Sequence, residues 1–326
     1  LHGIYQGGKV YEASTVEAVY NCFLCGACKS WCSGQELGGY DIPELIKFAR
    51  RDIVRKGIVP DGIQSMRDSL VANDNIRGKD KGSSYTSSIE EKNADLLFIL
   101  GEGVNYDHQE IAEAFVRILE NCRISYSFLK DEPTSGKELD LLGYREEAKE
   151  KAMNMAKRIR AAEFKTIVVS DPLVYDALKN DYPAWGAGLD GEILHVSDYL
   201  LALVREGTLK LKSFLSKVTL ADSEYLGRFS GVYEAPRDVI RASSGENFTE
   251  MQWHHEYLQS AGEAAFTFNG LPFNRGAELG RKISVKAEEC GADTIVTLSA
   301  TAKSNITEAS GLKVIDIAEF AATQMI

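Results

Sequence analysis

From about residue 93 onward the chain alternates short apolar runs with longer stretches in which apolar residues recur every three or four positions. Ala94-Asp-Leu-Leu-Phe-Ile-Leu100 ends at Gly101, and Ile111, Phe115, Ile118 and Leu119 then follow at helical spacing. Arg123-Ile-Ser-Tyr-Ser-Phe-Leu129 alternates as a second strand, residues Arg145 to Ala161 predict a helix, and Thr166-Ile-Val-Val-Ser170 predicts a buried strand. Strands separated by helices imply parallel pairing with both faces covered, hence an α/β fold. The order recurs after residue 213, where Lys217-Val-Thr-Leu220 opens it and Thr294-Ile-Val-Thr-Leu298 mirrors Thr166 to Ser170. Two pseudo-repeated α/β units are therefore expected, over 93–212 and 213–326. Upstream, Asp41 as cap, Pro43 in the first turn and Gly57 as stop frame a helix with Ile42, Leu45, Ile46, Ala49 and Ile53 on one face. That face is expected to pack on the cysteine loop described next. Residues 74–92 are polar and rich in Gly and Ser and predict a linker, which closes a small helical domain over 1–92.

Within that first domain lies Cys22-Phe-Leu-Cys25-Gly-Ala-Cys28-Lys-Ser-Trp-Cys32. C-x2-C-x2-C-x3-C is the spacing of bacterial-type ferredoxins, in which a tight loop aims thiolates at the corners of one iron–sulfur cube. Gly26 and Ala27 are small enough to let the backbone approach the sulfides, and the fourth cysteine is expected to start a helix. Cys22, Cys25, Cys28 and Cys32 are thus candidate ligands of one 4Fe-4S cluster. In two-cluster ferredoxins the fourth cysteine serves the neighbouring cluster, so the ligand set is incomplete or unusual. Cys122 and Cys290 stand alone in amphipathic stretches, where a buried structural thiol is expected. The competing readings are zinc, which usually takes two Cys/His pairs across a longer loop, and disulfides, which belong to small secreted domains.

Length and charge change the picture less. A chain of 326 residues with 44% hydrophobic content is ordinary for a folded, core-forming protein. A formal charge of −11 argues against nucleic acid as a partner. No apolar run approaches the roughly eighteen residues of a spanning helix, so a cytoplasmic location is expected, or a peripheral attachment to a membrane through another protein. The first residue is Leu1, and an N-terminal piece is expected to be missing or supplied otherwise.

Gly101-Glu-Gly103 lacks the third glycine of a dinucleotide loop, and no P-loop, G-x-S-x-G or H-E-x-x-H is present. His254 and His255 are adjacent, so on a helix or strand they are expected to point apart and not to share a metal.

The cysteine loop, the capped helix and the two α/β units together resemble the iron–sulfur proteins with cysteine-rich CCG domains. These include the catalytic subunits of heterodisulfide reductase, the iron–sulfur subunits of glycolate oxidase and the C-type subunit of anaerobic glycerol-3-phosphate dehydrogenase. The local matches are Tyr225-Leu-Gly-Arg-Phe-Ser-Gly-Val-Tyr-Glu-Ala-Pro-Arg237, Gly245 followed by Glu250-Met251, and Gly291-Ala-Asp-Thr-Ile-Val-Thr297. In such proteins each α/β unit carries cysteines for a further cluster, and here every one of them is replaced. The positions hold Gly101-Glu102, Thr134-Ser135-Gly136, Asp171-Pro172-Leu173-Val174, Ala221-Asp222-Ser223-Glu224, Ser260-Ala261-Gly262 and Ser299-Ala300-Thr301-Ala302. The resemblance therefore implies a degenerate CCG protein whose shape survives without the soft ligands. Glu102, Asp171, Asp222 and Glu224 are expected to be solvated carboxylates, the competing reading being that they gather in the old cleft around a hard metal. The resemblance also implies an earlier cysteine run upstream; with one, a second cluster would share Cys32.

The function expected is an iron–sulfur electron-transfer and scaffold subunit of a larger, flavin-containing anaerobic redox complex. Its partners would be a flavoprotein or another iron–sulfur protein, with no nucleic acid and no direct membrane span. A catalytic subunit of a disulfide reductase or hydroxyacid oxidoreductase, and a zinc-binding structural adaptor, are the alternatives. Phe23, Leu24 and Trp31 are expected either to face a partner or to shield the cluster from water.

Overall fold

The computed structural model describes residues 1–32, 41–162, 164–264 and 275–326. Helices α1 (Ala13–Tyr20), α2 (Ala27–Ser30), α3 (Ile42–Arg55) and α4 (Asp61–Asn73) form the N-terminal layer. Asp41 caps α3 by accepting from the Glu44 amide at 3.1 Å, with Pro43 in the first turn as its fixed φ favours. The buried side of α3 is Ala49, Arg50 and Ile53, whereas Leu45 is exposed. The helix packs on α1 and on α7 (Lys137–Leu142) as well as on α2, so its apolar stripe serves the α/β body more than the cysteine loop.

Strands β1 (Leu96–Ile99), β2 (Tyr126–Ser127), β3 (Thr166–Val169) and β4 (Glu192–His195) form one parallel sheet in the order β2-β1-β3-β4. Between β1 and β2 lie α5 (Glu102–Tyr106) and α6 (Gln109–Asn121), and between β2 and β3 lie α7 and α8 (Arg145–Ala161). After β3 come α9 (Pro172–Asp176) and, past β4, α10 (Val196–Arg205). The second sheet is β5 (Val218–Leu220), β6 (Thr294–Thr297) and β7 (Lys313–Asp316), all parallel and in sequence order. Its helices are α11 (Glu234–Ser244), α12 (Gly276–Glu289), α13 (Ala300–Ala309) and α14 (Ile317–Gln324). The chain is thus α/β with parallel sheets, as the alternating pattern implied. Helices α10, α11 and α14 pack together between the sheets, and α14 also rests on α6, so one hydrophobic core runs through both halves.

Two expectations change and a third falls outside the described residues. The strand read over 123–129 shrinks to two residues, because Arg123 takes a left-handed φ of 56° and the Ile124 amide closes α6 on Leu119. Cys28 lies within α2 and Cys32 two positions past its end; the helix expected to start at Cys32 would run through 33–40, which lie outside the described residues. The polar stretch 74–92 is a strap fixed to the first sheet. Asn75 and Thr86 are fully buried; Thr86 donates its amide to Asn105 Oδ1 at 3.1 Å and accepts from the Glu132 amide at 3.1 Å. Polar composition marked it as near the surface, but side-chain bonds to backbone replace the water that a free linker would use.

Candidate functional site

The cysteine loop is held from beneath by three side chains. Arg50, fully buried, donates to the carbonyls of Cys22 (2.6 Å), Leu141 (2.6 Å), Tyr20 (3.3 Å) and Val19 (3.2 Å). Arg228 donates to the Cys25 carbonyl at 2.9 Å and to the carbonyls of Glu256 and Leu258. Tyr225, in the second half of the chain, donates its hydroxyl to the Leu24 carbonyl at 3.1 Å. Leu24 and Gly26 both take left-handed φ values, 53° and 74°, and a Cβ at Gly26 would meet the Phe229 ring at 3.1 Å. With its carbonyls tied inward the loop turns thiols outward: Cys22 and Cys25 are half-buried and Cys28 and Cys32 exposed. The Leu24 amide donates to Cys22 Sγ at 3.4 Å. Burial, with Glu224 second, pushes the free Cys25 thiol up to about 11, so metal and not solvent would have to draw its proton off.

These features fit an iron–sulfur cluster. The donors are soft, two guanidinium groups without carboxylate partners among the described residues lie under the loop, and glycine opens the approach. The thiols do not converge as the ligands of a single zinc ion would; among the described residues only Glu250, His254 and His255 bring three ligand atoms that close. Cys122 and Cys290 cap the ends of α6 and α12 and donate to the carbonyls of Thr208 and Ala287.

Leu24 does not face a partner. It is 2% exposed and packs with Leu141, Leu173 and Tyr225, because its left-handed backbone aims the side chain into the α/β body. Trp31 is half exposed and lies against Trp253 (4.9 Å between rings) and Tyr257 (5.7 Å). Sequence reasoning did not anticipate the last two, which reach the loop only through folding.

A second site lies at the carboxyl ends of β1 and β3, where open parallel sheets place their ligand crevices. A cleft of about 600 Å³ is lined there by Glu102, Glu138, Asp171 and Glu263, with Arg77 from the strap and Asn305 from α13. Gly101 is required for this geometry, since at φ 76° a Cβ would fall 2.3 Å from that of Asp171. Desolvation raises the pKa of all four carboxyl groups, Glu138 to about 7. Glu102 and Asp171 occur together in the cleft and are buried where solvated acids were expected, but Asp222 and Glu224 do other work. Asp222 forms a buried pair with Arg237 at 2.6 Å, and Glu224 accepts from Ser260 Oγ and the Glu263 amide. Glu138 and Glu263 take their places; nothing in their local sequence marked them. No three of the cleft's carboxylates come within 4.8 Å of one another, so they do not form a ready site for one hard ion.

His254 and His255 also depart from expectation. His255 adopts a left-handed φ of 55°, which swings the two rings together so that their Nδ1 atoms lie 2.6 Å apart.

A cysteine loop tied to Arg50 and Arg228 on a parallel α/β body has the features of an iron–sulfur protein, and comparison with known sequences agrees with that class. The chain is 28% identical over 266 residues to the D-type subunit of the dihydromethanophenazine:CoB–CoM heterodisulfide reductase of Methanosarcina mazei, covering 78% of this chain and 64% of that protein. It is 26% identical over 271 residues to the probable iron-sulfur-binding oxidoreductase FadF of Bacillus subtilis, covering 77% and 38%. It is 28% identical over 254 residues to the EtfAB:quinone oxidoreductase of Syntrophomonas wolfei, covering 73% and 35%. The chain is similar to the D-type heterodisulfide reductase subunits and to other iron–sulfur oxidoreductases, and where the resemblance calls for CCG cysteines it carries other residues. It spans between about a third and two thirds of the length of these relatives. No family model matches it. Among solved structures, an aspartate racemase of Picrophilus torridus covers 70% of the chain at 12% identity and a TM-score of 0.36. No helix among the described residues is long and apolar enough to cross a membrane.

Proposed function

We propose that this chain is the electron-transfer and scaffold part of a larger redox complex, with Cys22, Cys25, Cys28 and Cys32 as ligands of one 4Fe-4S cluster. The observation that carries the reading is the tie of the loop backbone to Arg50, Arg228 and Tyr225, which leaves Cys28 and Cys32 at the surface. A cluster there supplies one-electron transfer. The chain's own residues hold it: the guanidinium groups of buried Arg50 and half-buried Arg228 oppose its negative charge, the Leu24 amide donates to Cys22 Sγ, and Trp31, Trp253 and Tyr257 limit water on one side. The names of the relatives, oxidoreductases and reductase subunits, support a redox setting with partner subunits. In this reading residues 1–92 form the cluster domain, and 93–212 and 213–326 are repeated α/β units; the shared strand order β1-β3-β4 and β5-β6-β7 supports the repeat. The units dock partners, a flavoprotein or a second iron–sulfur protein, in the cytoplasm or at a membrane reached through them.

The test is anaerobic purification with iron and acid-labile sulfide analysis and EPR before and after dithionite reduction. About four irons and four sulfides per chain with a reduced-state signal are expected. Protein that binds zinc at the cysteines and no iron would overturn it.

A further inference from the structure

We propose that Glu250, His254 and His255 form a site for a divalent transition-metal ion of the zinc class, with two imidazole nitrogens and one carboxylate oxygen as ligands and a further position open to solvent. One ligand atom from each residue lies within 4.8 Å of the others, and no other set of three does so among the described residues. Two imidazoles and a carboxylate are a donor set that binds zinc and its neighbours in the first transition row. All three residues are partly exposed, so an ion and its water can enter.

The surrounding residues hold the ligands in place before any metal arrives. The His255 amide donates to Asp222 Oδ2 at 2.7 Å, which fixes the residue in its left-handed conformation. Its ring is held on the far side by Glu234 Oε1, 2.7 Å from Nε2, and by the Tyr233 ring at 5.4 Å. A carboxylate on the second nitrogen of a ligand histidine sets the tautomer that leaves Nδ1 free for metal. Glu250 is positioned by Arg237, whose Nε and Nη2 donate to its two oxygens at 2.8 and 3.1 Å; a carboxylate has lone pairs left for an ion. Arg237 is fully buried and also bound to Asp222, so both ligand-bearing turns share one anchor. A non-glycine residue kept at positive φ by that network is strain of the kind retained at ligand sites.

Without metal, two Nδ1 atoms 2.6 Å apart must share one proton as an N–H···N hydrogen bond. Binding an ion at both Nδ1 atoms moves that proton to the other nitrogen of the His254 ring, parts the two Nδ1 atoms and exchanges a single hydrogen bond for two metal–nitrogen bonds. The site lies in the segment that Arg228 ties to the cysteine loop through the carbonyls of Glu256 and Leu258, and Trp253 stacks on Trp31. Metal here would clamp that segment, and it needs none of the four loop cysteines.

The experiment uses the anaerobically purified full chain with its iron retained. Zinc is titrated and counted by mass spectrometry, cobalt is substituted and followed by its visible ligand-field bands, and the zinc edge is examined by X-ray absorption. One zinc with nitrogen and oxygen neighbours is expected, together with an unchanged iron content. His254→Gln and His255→Asn each weaken zinc binding at least 10-fold, Asn being chosen because it tolerates left-handed φ. Glu234→Gln weakens it about 10-fold by freeing the His255 ring. Thermal melts of each zinc-free, iron-loaded variant, matched to wild type, check that the fold is kept; a variant that fails this check is replaced by Glu250→Gln. Sulfur neighbours at the zinc edge, zinc retained in the His254→Gln/His255→Asn double variant, or no binding at micromolar zinc would each overturn the site and leave a hydrogen-bonded histidine pair. None of these outcomes bears on the iron count at Cys22 to Cys32.

Discussion

Arg50 Nη2 lies 2.6 Å from the carbonyl oxygen of Cys22, donated from a fully buried guanidinium that meets no carboxylate among the described residues. An unpaired buried cation is costly by itself, and here it is tolerated because four backbone carbonyls around the loop take up its donors. Arg50→Ala should therefore orphan several carbonyls at once. A loss of about 3–5 kcal/mol in urea unfolding is expected, with iron content falling below half. Arg50→Lys keeps the charge but loses the planar fork, and it should be nearly as damaging. Full iron occupancy in both variants would show that the loop does not depend on this anchor.

Cys25→Ser should abolish the reduced-state EPR signal, because a hydroxyl is a hard and weak substitute for thiolate at iron–sulfide. Iron analysis of the same protein checks that the cluster, and not the fold, is what changed.

Cys122→Ala and Cys290→Ala should leave iron unchanged and cost about 1 kcal/mol in stability, as expected for small hydrophobes at helix ends. Loss of iron in either one would identify a remote ligand.

Glu138 is fully buried in the cleft, and desolvation pushes its pKa from 4.5 to about 7. Raised in the folded state, it binds a proton that the unfolded chain releases earlier. Stability is thus fully present below about pH 4.5 and is lost as pH rises through about 7. Glu132, which accepts from the Leu100 and Gly101 amides, is pushed up to about 7 by the same cause and adds to the slope. Glu138→Gln should match wild type near pH 4.5 and exceed it at pH 8 by on the order of 2 kcal/mol. Urea unfolding at the two pH values measures this; equal stability of variant and wild type at pH 8 would contradict it.

Trp31→Ala should slow electron exchange with a partner redox protein several-fold while iron content stays constant, since the exposed ring and its neighbours Trp253 and Tyr257 form the aromatic surface beside Cys28. Stopped-flow reduction of the loaded chain gives the rate.

The alternation of apolar runs and helical stretches was sufficient for the α/β class and for most strands, because those signals are local and period-bound: β1, β3, β5 and β6 fall within the runs first read. The four-cysteine loop was legible for the same reason, its chemistry being written in spacing. Residues set by contacts far along the chain were not legible. Leu24 was expected at a partner surface, but its left-handed φ turns it inward, and nothing in the sequence marked Arg50, which four backbone carbonyls surround. Glu138 and Glu263 joined Glu102 and Asp171 only when the strand ends brought loops from both halves to one cleft. His254 and His255 converge because one backbone angle, held by Asp222 more than thirty positions away, reverses the rule that neighbours in sequence point apart. Period and spacing act over a few residues and are set by the chain itself. Burial, charge neighbours and the sign of φ at a turn depend on which distant segments pack together, and only the tertiary structure decides them.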